Sequence, residues 1–324
     1  MAKRKLNKQQ RARLLLSQTE SLQLDATLPH EEGLVICCFG TRALVEKTDG
    51  SRLECMIRQH IQTLTAGDKI VFRTETDTTG VIISLFPRKS VLERLDKYHQ
   101  LKPTAANVTQ LVIVIAPSPA PSWPLLDTYL IAAEQAHLEA CIVVNKTDLA
   151  MDDIQSILTT HYAPLQYPIL FTSKNTPESY DGLTQQLAKH TSVFIGQSGV
   201  GKSSLISTLL PHELNIQIGE ISHAKDVGKH TTSTSRFYHL PNGGALIDSP
   251  GVRSFQPANL TPGIILKGYR EFHPFIGHCQ FRNCNHRTAP GCALLKGLAD
   301  KHISVLRYEN FVKLVDALSI SSHF

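Results

Sequence analysis

The sequence predicts a multi-domain chain: a small N-terminal β-barrel, a central doubly wound α/β domain and a short, mainly helical C-terminal module built around a metal ion. Three observations carry this. Short β-rich runs separated by turn clusters fill residues 33–88, continuous apolar runs alternate with helix-like segments through residues 89–258, and three cysteines and a histidine crowd into residues 279–292. At ~100 to 200 residues per domain, 324 residues suit two or three domains. A 42% hydrophobic and 19% charged composition excludes global disorder and fibrous repeats.

The first 32 residues read as a basic arm and linker. Lys3, Arg4, Lys5, Lys8, Arg11 and Arg13 contribute +6 of a formal net charge of +5, so the rest of the chain carries −1. Such an arm suits a polyanionic partner, whose counterions are released on binding. Leu14-Leu15-Leu16 is too short for a secretory core. The longest aliphatic run, Leu111 to Ala116, is far short of the ~18 to 20 residues of a membrane span. A cytoplasmic monomer with no membrane partner is the expectation.

Within residues 33–88, strands are expected at Leu34–Phe39, Ala43–Glu46, Leu53–Ile57, Lys69–Arg73 and Gly80–Leu85, with turns at Asp49-Gly50-Ser51 and Ala66-Gly67-Asp68. Five strands in this length suggest an OB-fold, although an SH3-like barrel has the same pattern. Over residues 89–258, after a leading connector, the apolar runs Leu111–Ala116, Cys141–Asn145, Ile169–Thr172, Val193–Gly196 and Ala245–Asp248 suit strands covered on both faces. Helices are expected at Leu125–Ala136, Gly182–Lys189 and Lys202–Leu210, the last stopped by Pro211.

Chemistry concentrates where these strands end. Gly196, Gln197, Ser198, Gly199, Val200, Gly201, Lys202 and Ser203 spell GxxxxGKS between a strand and a helix, followed by Ser204. Its glycines let backbone amides face phosphates, the helix start adds positive potential, Lys202 reaches the β and γ oxygens, and Ser203 can ligate Mg²⁺. Asp248-Ser249-Pro250-Gly251 ends a later strand, where Asp248 can hold a Mg²⁺-bound water and the Gly251 amide can meet the γ-phosphate. Between them, Gly228-Lys229-His230-Thr231-Thr232 offers either Thr231 or Thr232 to Mg²⁺. Asn145, Lys146 and Asp148 close another strand, and the Asp148 carboxylate would accept from N1 and the exocyclic amine of guanine, which adenine cannot match. Thr172 and Ser173 would support the base from the other side.

Seven cysteines, two of them adjacent at Cys37 and Cys38, do not form a disulfide pattern. Cys279, Cys284, His286 and Cys292 instead supply three thiolates and an imidazole, a closed donor set for one structural Zn²⁺. In residues 259–324 the loop-rich stretch Phe272–Gly277 precedes helical segments, with Val305, Tyr308, Phe311, Val312, Val315 and Leu318 marking an apolar face. Arg282, Arg287, Lys296, Lys301, Arg307 and Lys313 make a candidate RNA-facing surface.

The nucleotide elements resemble the five signature motifs of Ras-like GTPases in rotated order, with base recognition before the phosphate loop. Together with the cysteine-histidine cluster, this order identifies the chain as resembling the RsgA (YjeQ) family of circularly permuted GTPases from about Gly33 to the C-terminus. The resemblance implies an OB-fold, a central α/β circularly permuted P-loop GTPase and a C-terminal zinc-binding, mainly helical domain. It further implies GTP and GDP as ligands, the small ribosomal subunit and its rRNA as partners, and a late role in subunit maturation with hydrolysis stimulated by the subunit. The chain departs from the family at Thr109, where Asp is usual, and in its loose Thr172-Ser173-Lys174 motif. Val252 stands where Ras-like enzymes often place a water-orienting Gln. The catalytic candidates are therefore Lys202 and His230, with a backbone group or the ribosome as alternatives to His230 for positioning water.

Overall fold

The structure, a computed structural model, describes residues 30–96, 100–210, 235–249 and 260–321. The chain forms two compact units, one of residues up to 88 without Thr65–Gly67, the other of Thr65–Gly67 with Lys89–Phe324.

The first unit is a closed five-stranded barrel. Its strands are β1 (Glu31–Phe39), β2 (Arg42–Lys47), β3 (Arg52–Ile57), β4 (Lys69–Thr74) and β5 (Thr79–Leu85). β1–β2, β2–β3, β4–β5 and β1–β4 pair antiparallel, while β3 and β5 run parallel and close the circuit. The alternating residues Val35, Val45, Leu53, Cys55, Ile70, Phe72 and Ile82 point inward and are buried, as small barrels require. This pairing, with its one parallel contact, selects the OB-fold over the alternative barrel.

In the second unit, a hairpin of β6 (Val91–Leu95) and β7 (Leu101–Ala106) occupies the stretch the sequence left as a connector. Then come β8 (Gln110–Ile115), α1 (Trp123–Gln135), β9 (Glu139–Asn145), α2 (Asp152–His161), β10 (Ile169–Thr172), α3 (Tyr180–Leu187), β11 (Thr191–Gly196), α4 (Lys202–Leu209), β12 (Arg236–His239) and β13 (Ala245–Asp248). Sheet order is β10-β9-β8-β11-β13-β12, parallel except for β12. Leu111 through Ile115 are all buried, so β8 is covered on both faces, which its unbroken apolar run anticipates. The helix α2 and the short strand β12 escape sequence reading because their apolar residues are few and short-spaced.

The C-terminal residues add α5 (Pro262–Lys267), a 3-10 turn at Arg270–Phe275, α6 (Ala293–Ala299) and α7 (Val305–Ser321). They pack on α1 around Ile131, Ile265, Tyr269, Phe272, Leu294, Ile303 and Phe311. The Tyr269 and Phe272 rings stack at 4.6 Å and Phe311 meets both edge-on. Gly268 lets the chain pass Ile131 closely, since a Cβ there would fall 2.6 Å from Ile131 Cγ2.

Three expectations for this module are corrected. Phe272 is fully buried in a 3-10 turn rather than set in a loop. Val305, at the first position of α7, is 60% exposed, so the apolar face of that helix starts at Tyr308. Arg307 is 1% exposed and cannot face RNA. It lies between Asp127 of α1, which accepts from its Nη1, and Glu271, whose carboxylate accepts from Nε at 2.7 Å and Nη2 at 3.2 Å. Asp127 also accepts from the hydroxyls of Tyr162 (2.8 Å) and Tyr269 (3.2 Å) and from Asn310 Nδ2 (2.8 Å). Burial works against the Arg307 charge, yet the two carboxylates hold its pKa well above the ordinary value. Burial and the Asp127 charge push both tyrosine hydroxyls up, so they remain donors.

Arg307→Ala would leave two carboxylates in a dry interior without their cation. The expected loss is roughly 3–5 kcal/mol, read as a lowered thermal midpoint of the second unit.

Candidate nucleotide site and metal centre

Parallel pairing brings the carboxyl ends of β8, β9, β10, β11 and β13 to one edge of the sheet, the usual ligand edge of open α/β folds. The GxxxxGKS loop leaves β11 there. Gly196 has φ +141° and a Cβ on it would fall 2.2 Å from Val114 O, while Gly199 and Gly201 have φ of +82° and +98°. Only glycine permits this backbone, which is the reason for the spacing read in the sequence. Lys202, the first residue of α4, is buried, and its Nζ donates to Gly196 O and Gln197 O, both at 2.6 Å. Its ammonium is thus held inside the turn of the loop.

The base-reading segment meets the same loop. Asn145 Nδ2 donates to Val200 O at 2.9 Å, and Lys146 Nζ donates to Gly199 O and Ser118 O, both at 2.7 Å. Lys146 has φ +61°, which turns the chain so that Asp148 is presented at the surface. Thr172, fully buried, donates its hydroxyl to Asn145 Oδ1 at 3.2 Å. Ser173 Oγ donates to Asp148 Oδ1 at 2.6 Å and accepts from the Asn175 amide at 3.1 Å. That Ser173 hydroxyl, with Asp148's own backbone amide, holds the Asp148 carboxyl below the usual carboxylate range. The side chains of Thr172 and Ser173 therefore brace Asn145 and Asp148, the latter being the acceptor that would meet the base.

Ser198 and Ser204 are exposed beside the loop, Val200 is buried beneath it, and Ser203 begins α4 next to Lys202. Asp248 ends β13 in register with Arg236. His230, Thr231, Thr232 and Gly251 lie outside the described residues. Gln197 behaves differently from its neighbours. Its Oε1 accepts from the Ser122 amide at 3.0 Å and its Nε2 donates to Ala120 O at 3.3 Å, so the side chain grips residues 118–122 instead of facing the phosphate position. No spacing in the sequence signals that contact, because the partners are about 75 residues apart.

In the C-terminal module, the ligand atoms of Cys279, Cys284, His286 and Cys292 lie within 4.8 Å of one another. Cys279 Sγ is 3.5 Å from His286 Nδ1 and 4.0 Å from Cys292 Sγ, and Cys292 Sγ is 3.6 Å from the same nitrogen. A tetrahedral ion with metal–sulfur bonds of ~2.3 Å and metal–nitrogen bonds of ~2.0 Å would separate its ligands by about 3.5–3.8 Å. The four side chains fit one metal ion, and the sulfurs are too far apart for a disulfide. Tyr308 of α7 donates to His286 O at 2.8 Å, tying the metal loop to the helix, and Arg287 pairs with Asp316 at 2.7 Å. Arg287 is thus partly neutralised, whereas Lys296, Lys301 and Lys313 are expected basic positions on the outer side.

A family model described as RsgA GTPase matches residues 85–258. A "Small ribosomal subunit biogenesis GTPase RsgA" from Hahella chejuensis is 41% identical over 98% of this chain and 97% of that protein. One of the same name from Alcanivorax borkumensis is 41% identical over 98% and 97%. Among solved structures, YjeQ from Thermotoga maritima aligns with a TM-score of 0.73 at 29% identity, covering 90% of this chain and 99% of that one. YloQ, described as a circularly permuted GTPase, shares the fold with a TM-score of 0.70 at 23% identity, over 90% and 96%.

Because the Ser173 hydrogen bond favours the ionised carboxylate, that bond stabilises the fold above the ordinary carboxylate pKa and is lost as pH falls through the lowered value. Ser173→Ala is expected to move the Asp148 titration, followed by carboxyl NMR, to higher pH. An unmoved titration would mean that the bond is not made in solution.

Proposed function

The chain belongs to the RsgA GTPase family, which makes it a GTP hydrolase, and we propose that it acts in biogenesis of the small ribosomal subunit, binding that subunit and its rRNA late in maturation. The observation that carries this reading is the clasp between the Gly196–Ser203 loop and the Asn145–Asp148 segment. It joins a phosphate cradle to a carboxylate suited to guanine within one rigid edge. The nucleotide is GTP before hydrolysis and GDP after it.

Each residue has a task under this proposal. The loop amides and the Lys202 ammonium neutralise the β and γ oxygens, where charge builds as the terminal phosphoryl group departs. Asp148 accepts from the guanine N1 and amine, held ionised by Ser173. Mg²⁺ would be held by Ser203 and by Thr231 or Thr232, with Asp248 bonded to one of its waters, and it would draw charge from the same oxygens. Val252 cannot orient the attacking water, so His230 takes that role on the subunit, and turnover of the chain alone is slow.

The Cys279, Cys284, His286 and Cys292 set is assigned to one structural zinc ion, since three thiolates and an imidazole are soft ligands and leave no open position. Exposed Arg282, Lys296, Lys301 and Lys313 and the basic N-terminal arm supply phosphate contacts. Among the described residues no helix is long and apolar enough to cross a membrane. The proposed working form is a cytoplasmic monomer with no membrane partner. The domain limits proposed are 1–32 for the arm, 33–88 for the OB-fold, 89–258 for the GTPase and 259–324 for the zinc module.

The decisive test is phosphate release from GTP with and without purified small ribosomal subunits. Stimulation is expected, with ATP a poor substrate. Lys202→Ala should abolish turnover, and His230→Ala should remove stimulation while keeping GTP affinity. Turnover indifferent to subunits would overturn the partner assignment, and equal use of ATP would overturn the base assignment. Metal analysis of purified protein should find about one zinc per chain, lost in Cys284→Ser.

A further inference from the structure

Two observations outside the reaction itself meet on α1. At its start, residues 118–122 are gripped from the nucleotide edge by two long side chains. Gln197 of the phosphate loop bonds both Ser122 N and Ala120 O, and Lys146 of the base segment bonds Ser118 O while also holding Gly199 O. About one helical turn further on, Asp127 is fully buried and accepts from Arg307, Asn310 and Tyr269 of the C-terminal module. The ammonium, amide and carboxylate ends of this path are all hydrogen-bonded. The helix between them is a rigid backbone element whose residues Leu126, Leu130 and Ile131 are buried.

We infer that α1 with residues 118–122 is a strut between the C-terminal module and the phosphate-binding loop, and that Gln197 and Asp127 are its positioning residues. The inference rests on the nucleotide-site reading given above. A Gln at this point is not required by the phosphate contacts, which the loop makes through its backbone and Lys202. Its side-chain amide is spent on the strut. Likewise, an apolar residue at position 127 could fill the space between α1 and α7. A carboxylate that takes three donors from the module instead fixes α1 at one angle and one depth against it, because each donor tolerates only a narrow range of directions. The consequence is that a load on the C-terminal module reaches the nucleotide by a second route. One route runs along the chain from Asp248, and the other runs through Arg307, Asp127 and α1 to Gln197.

The test is a double-mutant cycle on the full chain with Gln197→Leu, Asp127→Asn and the pair. The readouts are the Kd of fluorescent GDP and kcat/KM for GTP, with thermal midpoint and metal content measured alongside. The two side chains do not touch, so independent roles would multiply: losses of about fivefold each would give about 25-fold together. A strut predicts instead that the pair loses no more than about the worse single variant, since both variants interrupt the same path. Multiplying effects would overturn the inference, as would single variants with wild-type GDP affinity. If Asp127→Asn does not fold, Tyr162→Phe takes its place, removing one donor from Asp127 and keeping the ring beneath Arg307. Should the wild-type chain fail to hydrolyse GTP, the functional proposal falls while the GDP titrations still decide the cycle.

Discussion

The site depends on one constraint, that neighbouring parallel strands must end on the same side. β9 and β10 pair so that Asn145 stands opposite Thr172, and β8 and β11 pair so that Gly196 stands opposite Val114. Each pairing places a turn where the strand's hydrogen bonds stop. Two turns from distant parts of the sequence then lie close enough to bond each other. The phosphate loop and the base segment are therefore set by sheet register first and by side chains second. This explains why the motif can be cut and rejoined in a different order without loss of geometry: the register does not depend on which loops connect the strands.

Rotation of the order has a physical result at the C-terminus. In the sequence the metal module follows the strand that ends in Asp248, so the module comes after a segment placed to sense phosphate. The module is not left to hang on that connection. Its aromatic core closes over Ile131, and its Arg307 enters a dry pocket between two carboxylates. A buried ion cluster of this kind adds little net stability compared with apolar packing, but it is intolerant of misalignment. The metal loop is bound in turn to α7 through Tyr308. Metal loop, α7, α1 and nucleotide loop thus form one continuous bonded path within the second unit.

Much of this was legible beforehand. The strands Lys69–Thr74 and Thr79–Leu85 lie within a residue or so of the alternating runs that predicted them, because a half-buried strand imposes a period of two on its own sequence. GxxxxGKS was readable since positive φ at Gly199 and Gly201 and the close approach at Gly196 leave no other residue possible. The cysteine-histidine group was readable because soft ligands within 14 residues have few other uses. By contrast, Arg307 looked like one more surface cation. Charge alone says nothing about burial, and its partners Asp127 and Glu271 are 180 and 36 residues away. The sequence places Gln197 in the GxxxxGKS loop, while its amide bonds Ser122 N and Ala120 O.

By itself, the sequence determined the local chemistry: which residues are glycine because the backbone must bend, which strands are buried on both faces, and which side chains can ligate a metal. These follow from short-range sterics and periodicity, which neighbouring residues settle among themselves. Only the tertiary structure decided which charges are buried, which barrel the five strands close into, and which amides and carboxylates meet across the chain. Those outcomes rest on long-range pairing, where a few hydrogen bonds between residues far apart in sequence choose one arrangement from many with equal local merit.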